Sequence, residues 1–147
     1  MPAPLYRTAV REDLRSITAL LDDAGLPLDG VAEHLDGFVV AVDGDAIVGC
    51  AALERYGHDA LLRSVAVRED WRGAGVGGRL VGRLFDEAER SGVRTVVLLT
   101  TTAPDYFERF GFARIDRDGV PGAVRASVEF QGACPASAVV MIRNNRG

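Results

Sequence analysis

Four glycines, at positions 73, 75, 77 and 78, stand in the segment Trp71–Leu80. An amphipathic run follows, whose apolar residues have helical spacing: Val76, Leu80, Val81, Leu84, Phe85 and Ala88. The first N–H groups of a helix lack intrahelical acceptors and lie at the positive end of its dipole, and glycines let several of them approach one ligand. The segment therefore predicts a binding site for a pyrophosphate or another polyanion. The alternative is a tight turn whose glycines serve geometry alone.

The pattern could also indicate dinucleotide binding, because Gly73, Gly75 and Gly78 have the literal spacing of the dinucleotide-binding fingerprint. That motif needs a turn directly after its strand and an acidic residue at the end of the next strand. Here residues 68–71 separate the turn from the preceding apolar run, and the next apolar run ends in Thr100-Thr101-Thr102. The context therefore disfavours a nicotinamide or flavin site.

The composition is that of an ordinary globular domain, with 48% apolar and 26% charged residues. We expect residues 1–147 to form one domain with a sizeable core. The net charge of −4 argues against a nucleic-acid partner. Cys50 and Cys134 are too few for a disulfide framework or a zinc site, and two histidines exclude a histidine-rich site, so no metal is expected. The sequence has neither a signal-peptide pattern nor an apolar run of about 18 residues, which predicts a cytoplasmic protein with no membrane partner.

Strand and helix patterns follow one another along the chain. β-rich runs predict strands at 5–10, 38–42, 46–53, 60–67, 94–100, 112–115 and 136–142. Helical spacing predicts helices at 14–24, 75–91 and 103–110. Gly25 is expected to close the first helix, and residues 26–36 are ambiguous between a loop and a short helix.

Three of the predicted strands are joined by short turns, at 43–45 and 56–59, which predicts an antiparallel meander. The helix between strands 60–67 and 94–100 predicts a βαβ unit, in which these two strands are parallel. The expected fold class is α/β, with a mixed, mostly antiparallel sheet of about seven strands flanked by helices.

Two consecutive motifs resemble the GNAT superfamily of N-acetyltransferases. Val65-Ala66-Val67, followed by the segment from Arg72 to Gly77, is similar to the acetyl-CoA signature Arg/Gln-x-x-Gly-x-Gly/Ala, and the likeness extends over most of the chain. The resemblance implies that acetyl-CoA is the cosubstrate, that the glycine-rich turn holds its pyrophosphate, and that the sheet splays where the pantetheine enters. The cofactor-binding residues that it implies are Val65, Ala66, Val67, Arg72, Gly73, Ala74, Gly75, Val76, Gly77 and Gly78. It also implies that the Val65 amide donates to the developing oxyanion.

The C-terminal third resembles two subgroups, the arsenic-resistance-associated acetyltransferases and the acetyltransferase domain of N-acetylglutamate synthases. The segments that carry this likeness are 98–103, 106–112, 125–130 and 134–138. In the synthases an Arg and a Ser near the positions of Arg125 and Ser127 hold the amino-acid substrate, and a guanidinium can pair with a carboxylate through two bonds. The alternative for Arg125 is a solvated loop residue. Arg63, within an apolar strand, is a second candidate anchor, and its alternative is a structural pair with a core carboxylate such as Glu54.

Acetyl transfer needs a neutral amine, donors for the oxyanion and a proton for the thiolate. The glutamate and tyrosine that many GNAT relatives use for proton transfer are replaced here by Leu61 and Phe107. Glu54 is the predicted substitute base, acting through water, with a solvent-facing charge at a strand end as the alternative. Thr102 and Ser127 are further candidates, as donors to the oxyanion or as proton relays.

We therefore expect direct acetyl transfer from acetyl-CoA to the amino group of a small, acidic, amino-acid-like molecule. An arsenical or phosphinic analogue of glutamate is favoured over glutamate, because the synthases carry a basic cluster where this chain has residues 26–30, Leu-Pro-Leu-Asp-Gly. Other interpretations stay open: synthase-like acetylation of glutamate, a CoA-binding sensor domain without turnover, and acetylation of protein termini or lysines. The resemblance also suggests a homodimer.

Overall fold

The computed structural model describes residues 3–144. Its strands are β1 (Leu5–Thr8), β2 (Phe38–Asp43), β3 (Ala46–Tyr56), β4 (Asp59–Val67), β5 (Thr95–Thr100), β6 (Ala113–Ile115) and β7 (Val139–Asn144), and its helices are α1 (Leu14–Asp23), α2 (Val76–Arg90) and α3 (Pro104–Glu108). The strands form a seven-stranded sheet in the order β1-β2-β3-β4-β5-β7-β6. This confirms the expected mixed, mostly antiparallel fold. β4 and β5 are parallel, as the βαβ unit predicted, and they pair over Asp59–Leu61 and 95–97 before β4 continues to Val67.

Two compact units make up the described chain, which passes between them within β3, β4 and α2. The first unit comprises residues 3–53 and Ser64–Glu87, and the second comprises Glu54–Arg63 and residues 88–144. The expectation that residues 1–147 form a single domain stays a prediction.

The first unit has α1 packed on the β2–β3 hairpin. The apolar face of α1 shares one core with both strands, and its members include Ile17, Leu20, Leu21, Phe38, Val40 and Cys50. α2 approaches β3 at Gly49, where an added Cβ would lie 3.0 Å from the side chains of both Val76 and Leu80. The missing side chain at Gly49 therefore lets the first turns of α2 lie directly against the sheet.

The second unit is built around β5 and β7. Its core contains Leu61, Val97, Val120, Val124 and Val140. The segment between β6 and β7, for which no helix was predicted, contains three short helical turns, at Arg117–Gly119, Gly122–Ala126 and Glu129–Ala133. Of the candidate site residues, Arg125 lies in the second of these turns and Ser127 directly follows that turn.

Several element boundaries differ from those predicted. β3 runs to Tyr56 and does not end at Leu53, which places Glu54 inside the strand. β7 begins at Val139 and not at residue 136, because a turn with a 3.0 Å bond from the Ala138 N–H to the Pro135 carbonyl precedes it. Within residues 26–36, all of them described, turns form and no α-helix does.

Candidate functional site

The glycine-rich turn leads directly into the first turn of α2. Gly73 and Gly75 both have φ +82°, a backbone conformation that glycine adopts without steric cost, and an added Cβ at either position would meet open space. The Arg79 N–H donates to the Gly75 carbonyl at 3.1 Å, which is the first hydrogen bond of the helix. The N–H groups of Val76, Gly77 and Gly78 therefore belong to the first turn of the helix, whose donors have no acceptor within the helix and bind capping groups or ligands. This geometry suits an anion.

Side chains on either side of the turn hold it in place. The Trp71 side chain is buried, and the backbone N–H of Trp71 donates to the Arg68 carbonyl at 2.8 Å. The Arg72 guanidinium donates through Nε to the Val67 carbonyl at 3.1 Å, which ties the turn to the end of β4. Gly73, Ala74 and Gly75 remain exposed. An anchored, solvent-exposed loop thus leads directly into the first turn of α2, an arrangement that suits an anion site.

The strand before the turn contains a backbone irregularity at Ser64, which has φ +59° although it is not a glycine. This left-handed conformation is uncommon for a residue with a side chain. The Ser64 carbonyl accepts a 3.2 Å hydrogen bond from the Cys50 thiol. Burial raises the pKa of that thiol to about 12, so Cys50 stays protonated and is a donor, not a nucleophile. After this irregularity Val65 and Val67 are partly exposed and Ala66 is buried.

A buried charge cluster in the second unit contains Glu54, Tyr56, Arg63 and Glu129. Arg63 donates through Nη1 to Glu54 Oε2 at 2.7 Å, and the Tyr56 hydroxyl donates to Glu54 Oε1 at 2.5 Å. Arg63 Nε lies 3.5 Å from Glu129 Oε2. Glu54, Arg63 and Glu129 are 1%, 3% and 4% exposed. The cluster therefore removes two carboxylates and one guanidinium from water together.

The cluster extends on one side to Ser127 and on the other to Cys134. Ser127 is buried and hydrogen-bonds Tyr56, and its Oγ accepts a 3.3 Å bond from the Glu129 N–H. Burial, together with the hydrogen bond to Glu54, raises the pKa of Tyr56 to about 12. Burial, with the negative charge of Glu129 nearby, raises the pKa of Cys134 to about 12. Tyr56 and Cys134 are therefore neutral donors at neutral pH.

Glu129 differs from these two groups because its pKa lies near neutrality. Burial raises it to about 7 from an ordinary value of 4.5, and the charge of Glu54 adds to the rise. Arg63 opposes the shift, as does the hydrogen bond from Cys134. The ionisation of Glu129 is thus set by the balance within the cluster.

This shift predicts a pH dependence of stability. Below about pH 4.5 Glu129 is protonated in both folded and unfolded chains, and between about 4.5 and 7 only the folded chain keeps the proton, so stability falls as the pH rises. One such group contributes a loss on the order of 3 kcal/mol across this interval. Urea unfolding of the unaltered protein and of Glu129→Gln at a series of pH values measures it. We expect the difference in the free energy of unfolding between the two proteins to change over this pH interval. A constant difference would contradict the raised pKa of Glu129.

The residues predicted for the site are distributed as follows. Glu54 is buried, so it is not a solvent-facing charge at a strand end, and the Arg63 pair with Glu54, one of the two alternatives for Arg63, is present. Arg125 is exposed, and its Nη2 donates to the Arg117 carbonyl at 2.6 Å. Thr102 is exposed just after β5. The structure therefore brings Glu54, Arg63 and Ser127 together: Arg63 pairs with Glu54, and Tyr56 hydrogen-bonds both Glu54 and Ser127.

Sequence reasoning missed Tyr56 and Glu129. A signal for Tyr56 was available, because residues two apart in a strand share a face and Tyr56 follows Glu54 at that distance. Glu129 had no comparable signal, since a glutamate in a loop is normally solvated. Among residues 3–144 no three His, Cys, Asp or Glu side chains are arranged to hold a metal ion. Within the same residues no helix is both long and apolar enough to span a bilayer.

The acetyltransferase (GNAT) domain model matches residues 34–114, which is more than half of the chain. The chain therefore belongs to the GNAT acetyltransferase domain family, a class of acetyl-CoA-dependent N-acetyltransferases. Its curated relatives include the amino-acid acetyltransferase of Aeromonas salmonicida, 29% identical over 78% of this chain and 28% of the relative. The corresponding Escherichia coli enzyme is 27% identical over 88% of this chain and 31% of the relative. The chain thus spans less than a third of the length of these relatives.

Solved structures with similar folds include the N-acetylglutamate synthase from Neisseria gonorrhoeae, complexed with coenzyme A and N-acetyl-glutamate. It has a TM-score of 0.84 and 22% identity, covering 100% of this chain and 36% of that chain. Rv2747 from Mycobacterium tuberculosis, in complex with CoA and NLQ, has a TM-score of 0.80 and 24% identity, covering 97% of this chain and 100% of that chain. Both comparisons agree with the predicted GNAT fold.

Proposed function

We propose that this chain transfers the acetyl group of acetyl-CoA directly to the amino group of a small, acidic, amino-acid-like molecule. The observation that carries the proposal is the anchored, solvent-exposed turn before α2, where Gly73 and Gly75 at φ +82° lead directly into the first N–H groups of the helix. The amino-acid acetyltransferases among the relatives support the substrate class. An arsenical or phosphinic glutamate analogue is the favoured substrate, and glutamate is the alternative.

The proposed cofactor contacts lie in the first unit. The pyrophosphate of acetyl-CoA binds the N–H groups of the segment from Arg72 to Gly78, and the pantetheine bonds the backbone of β4 from Val65 to Val67. The Val65 N–H donates to the acetyl oxygen as negative charge develops there. The partial exposure of Val65 and Val67 supports these contacts, because their strand is not sealed beneath other side chains.

The proposed substrate contacts lie in the second unit. Arg125 holds the substrate carboxylate, since a guanidinium has several N–H donors and the bond to the Arg117 carbonyl uses one of them. The backbone of Arg125 is fixed by a 2.8 Å bond from Gln131 Nε2 to its carbonyl. Ser127 connects this position to the buried charge cluster, in which Glu54 has its proposed acid–base role, and Thr102 is the proposed proton relay near the end of β5. The role of Arg63 as a second anchor stays a prediction, as do the homodimer, the cytoplasmic location and a link to arsenic resistance.

The proposal is tested by mixing the protein with acetyl-CoA and a panel of amines while following free thiol. The panel contains glutamate, its phosphinic and arsinic analogues, neutral amino acids and peptides. We expect amine-dependent thiol release that is fastest with the acidic small molecules. Tight CoA binding without amine-dependent release would instead favour the sensor domain, which Leu61 and Phe107 in place of the usual acid–base residues motivate. Release with peptides alone would favour acetylation of proteins.

Removing the proposed carboxylate anchor should change substrate selectivity. In Arg125→Ala we expect KM for the acidic substrates to rise roughly 10- to 100-fold, as for the loss of charge-assisted hydrogen bonds worth about 1.5–3 kcal/mol, and KM for neutral amino acids to change little. Steady-state thiol release with both substrate classes measures the difference. Arg94→Ala, at another exposed arginine of the second unit, is the matched control. An unchanged ratio of acidic to neutral substrates in Arg125→Ala would exclude this anchor.

A further inference from the structure

The buried charge cluster holds more negative than positive formal charge. Glu54 on β3 and Glu129 on the helical turn at 129–133 share Arg63 on β4, and all three are almost fully buried. The neutral thiol of Cys134 hydrogen-bonds Glu129, and the charge of Arg117 acts near Cys134. Two carboxylates so close to one guanidinium cannot both be ionised at low cost in such a site. The cluster therefore has a place for one exchangeable proton.

Distances decide which carboxylate takes that proton. Glu54 accepts a 2.7 Å bond from Arg63 and a 2.5 Å bond from Tyr56, so both of its oxygens are engaged by strong donors. Glu129 lies 3.5 Å from Arg63 Nε and accepts from the thiol of Cys134, which is a weak donor. Glu129 is thus the carboxylate whose charge is held less firmly.

The position of Glu129 connects this proton to the substrate site. Its N–H donates to Ser127 Oγ, and Arg125 lies a few residues earlier in the same segment. We infer that Glu129, in place of Glu54, is the proton acceptor of the acetyl transfer, taking a proton from the substrate ammonium through water, and that Glu54 and Arg63 are positioning residues that set its charge. This inference rests on the proposed function.

Glu129 takes one proton from the substrate ammonium, and the resulting neutral amine forms a bond to the acetyl carbonyl carbon. The carbon–sulfur bond then breaks, and its electron pair leaves with the CoA thiolate. The second proton of the attacking nitrogen passes to the thiolate, giving the amide and free CoA, and Glu129 returns its proton to solvent. A proton acceptor works best when its pKa is near the working pH, and about 7 meets that condition.

The test compares pH profiles of thiol release for matched Glu→Gln variants, from about pH 5 to about pH 9. In the unaltered protein we expect kcat/KM to fall on the acid side with a midpoint near 7. Glu129→Gln should lower kcat by about 100-fold, remove this acid limb and leave KM within roughly threefold. Glu54→Gln should keep the limb but move it to lower pH, because the charge of Glu54 helps to raise the pKa of Glu129. Glu89→Gln, at an exposed glutamate of α2, should leave the profile unchanged.

A second measurement separates this inference from the proposed function. The side-chain carboxyl carbon of Glu129, identified by the resonance that Glu129→Gln lacks, should titrate near pH 7 in labelled protein. Titration at the ordinary value of 4.5, an acid limb that survives in Glu129→Gln, or a limb that vanishes only in Glu54→Gln would each overturn the acceptor role alone. A failure of the unaltered protein to release thiol with any amine would overturn the proposed function and the acceptor role together.

Discussion

Replacing Arg63 with alanine is expected to lower the free energy of unfolding by about 3–5 kcal/mol at neutral pH. The substitution leaves Glu54 and Glu129 buried without the guanidinium that lies between them, at 2.7 Å from one carboxylate and 3.5 Å from the other. Each carboxylate must then be protonated or remain charged in a site of low polarity, and both outcomes cost free energy. Urea unfolding at neutral pH measures the loss. The loss should shrink at about pH 5, where protonation of the carboxylates is less costly.

Two further variants make this result specific to the buried charge cluster. Arg94→Ala removes an exposed guanidinium of the same unit and should change stability by no more than about 0.5 kcal/mol. Arg63→Ala combined with Glu54→Gln should be less unstable than the sum of the single variants, because the second change removes a carboxylate that the first leaves uncompensated. A loss in Arg63→Ala that matches Arg94→Ala, or strict additivity in the double variant, would show that the cluster is not energetically coupled.

Gly75→Val is expected to weaken acetyl-CoA binding by more than about 100-fold. A valine at φ +82° is strained by about 1–2 kcal/mol. Relief of this strain rotates the peptide groups that precede α2, so that their N–H groups no longer point at one ligand. The loss of two charge-assisted bonds to the pyrophosphate, each worth about 1.5–3 kcal/mol, gives this magnitude. Calorimetric titration with acetyl-CoA measures it.

Gly25→Val is the matched control for strain. Gly25 has φ +71° at the end of α1, lies in the same unit, and like Gly75 has no atom within 4 Å of an added Cβ. Both variants should lose a similar amount of stability, and only Gly75→Val should lose affinity for acetyl-CoA. Equal affinities in two folded variants would refute the placement of the pyrophosphate at this turn, and with it the proposed function.

Much of the fold was predictable because its signals are local. The apolar face of α1 and its closing residue Gly25 were visible in the spacing of residues 14–25, and the β2–β3 hairpin was visible in two β-rich runs around residues 43–45. The parallel pair of β4 and β5 followed from the helix between them. Boundaries were less predictable, since the extension of β3 to Tyr56 depends on pairing with other strands.

The sequence by itself determined the family and the position of the glycine-rich turn, because the turn's conformation depends on glycines adjacent in the chain and on the helix that follows them. Only the tertiary structure decided what surrounds Glu54. Its partner Arg63 comes from β4, and Glu129, which Arg63 also contacts, comes from a helical turn far along the chain. These contacts exist only after β3, β4 and that turn have packed. The same holds for Gly49, whose missing side chain matters only because α2 lies on β3. Hydrogen bonding within a short segment can be inferred from residue types, whereas the balance of charge in a buried site depends on which distant groups the packing brings together.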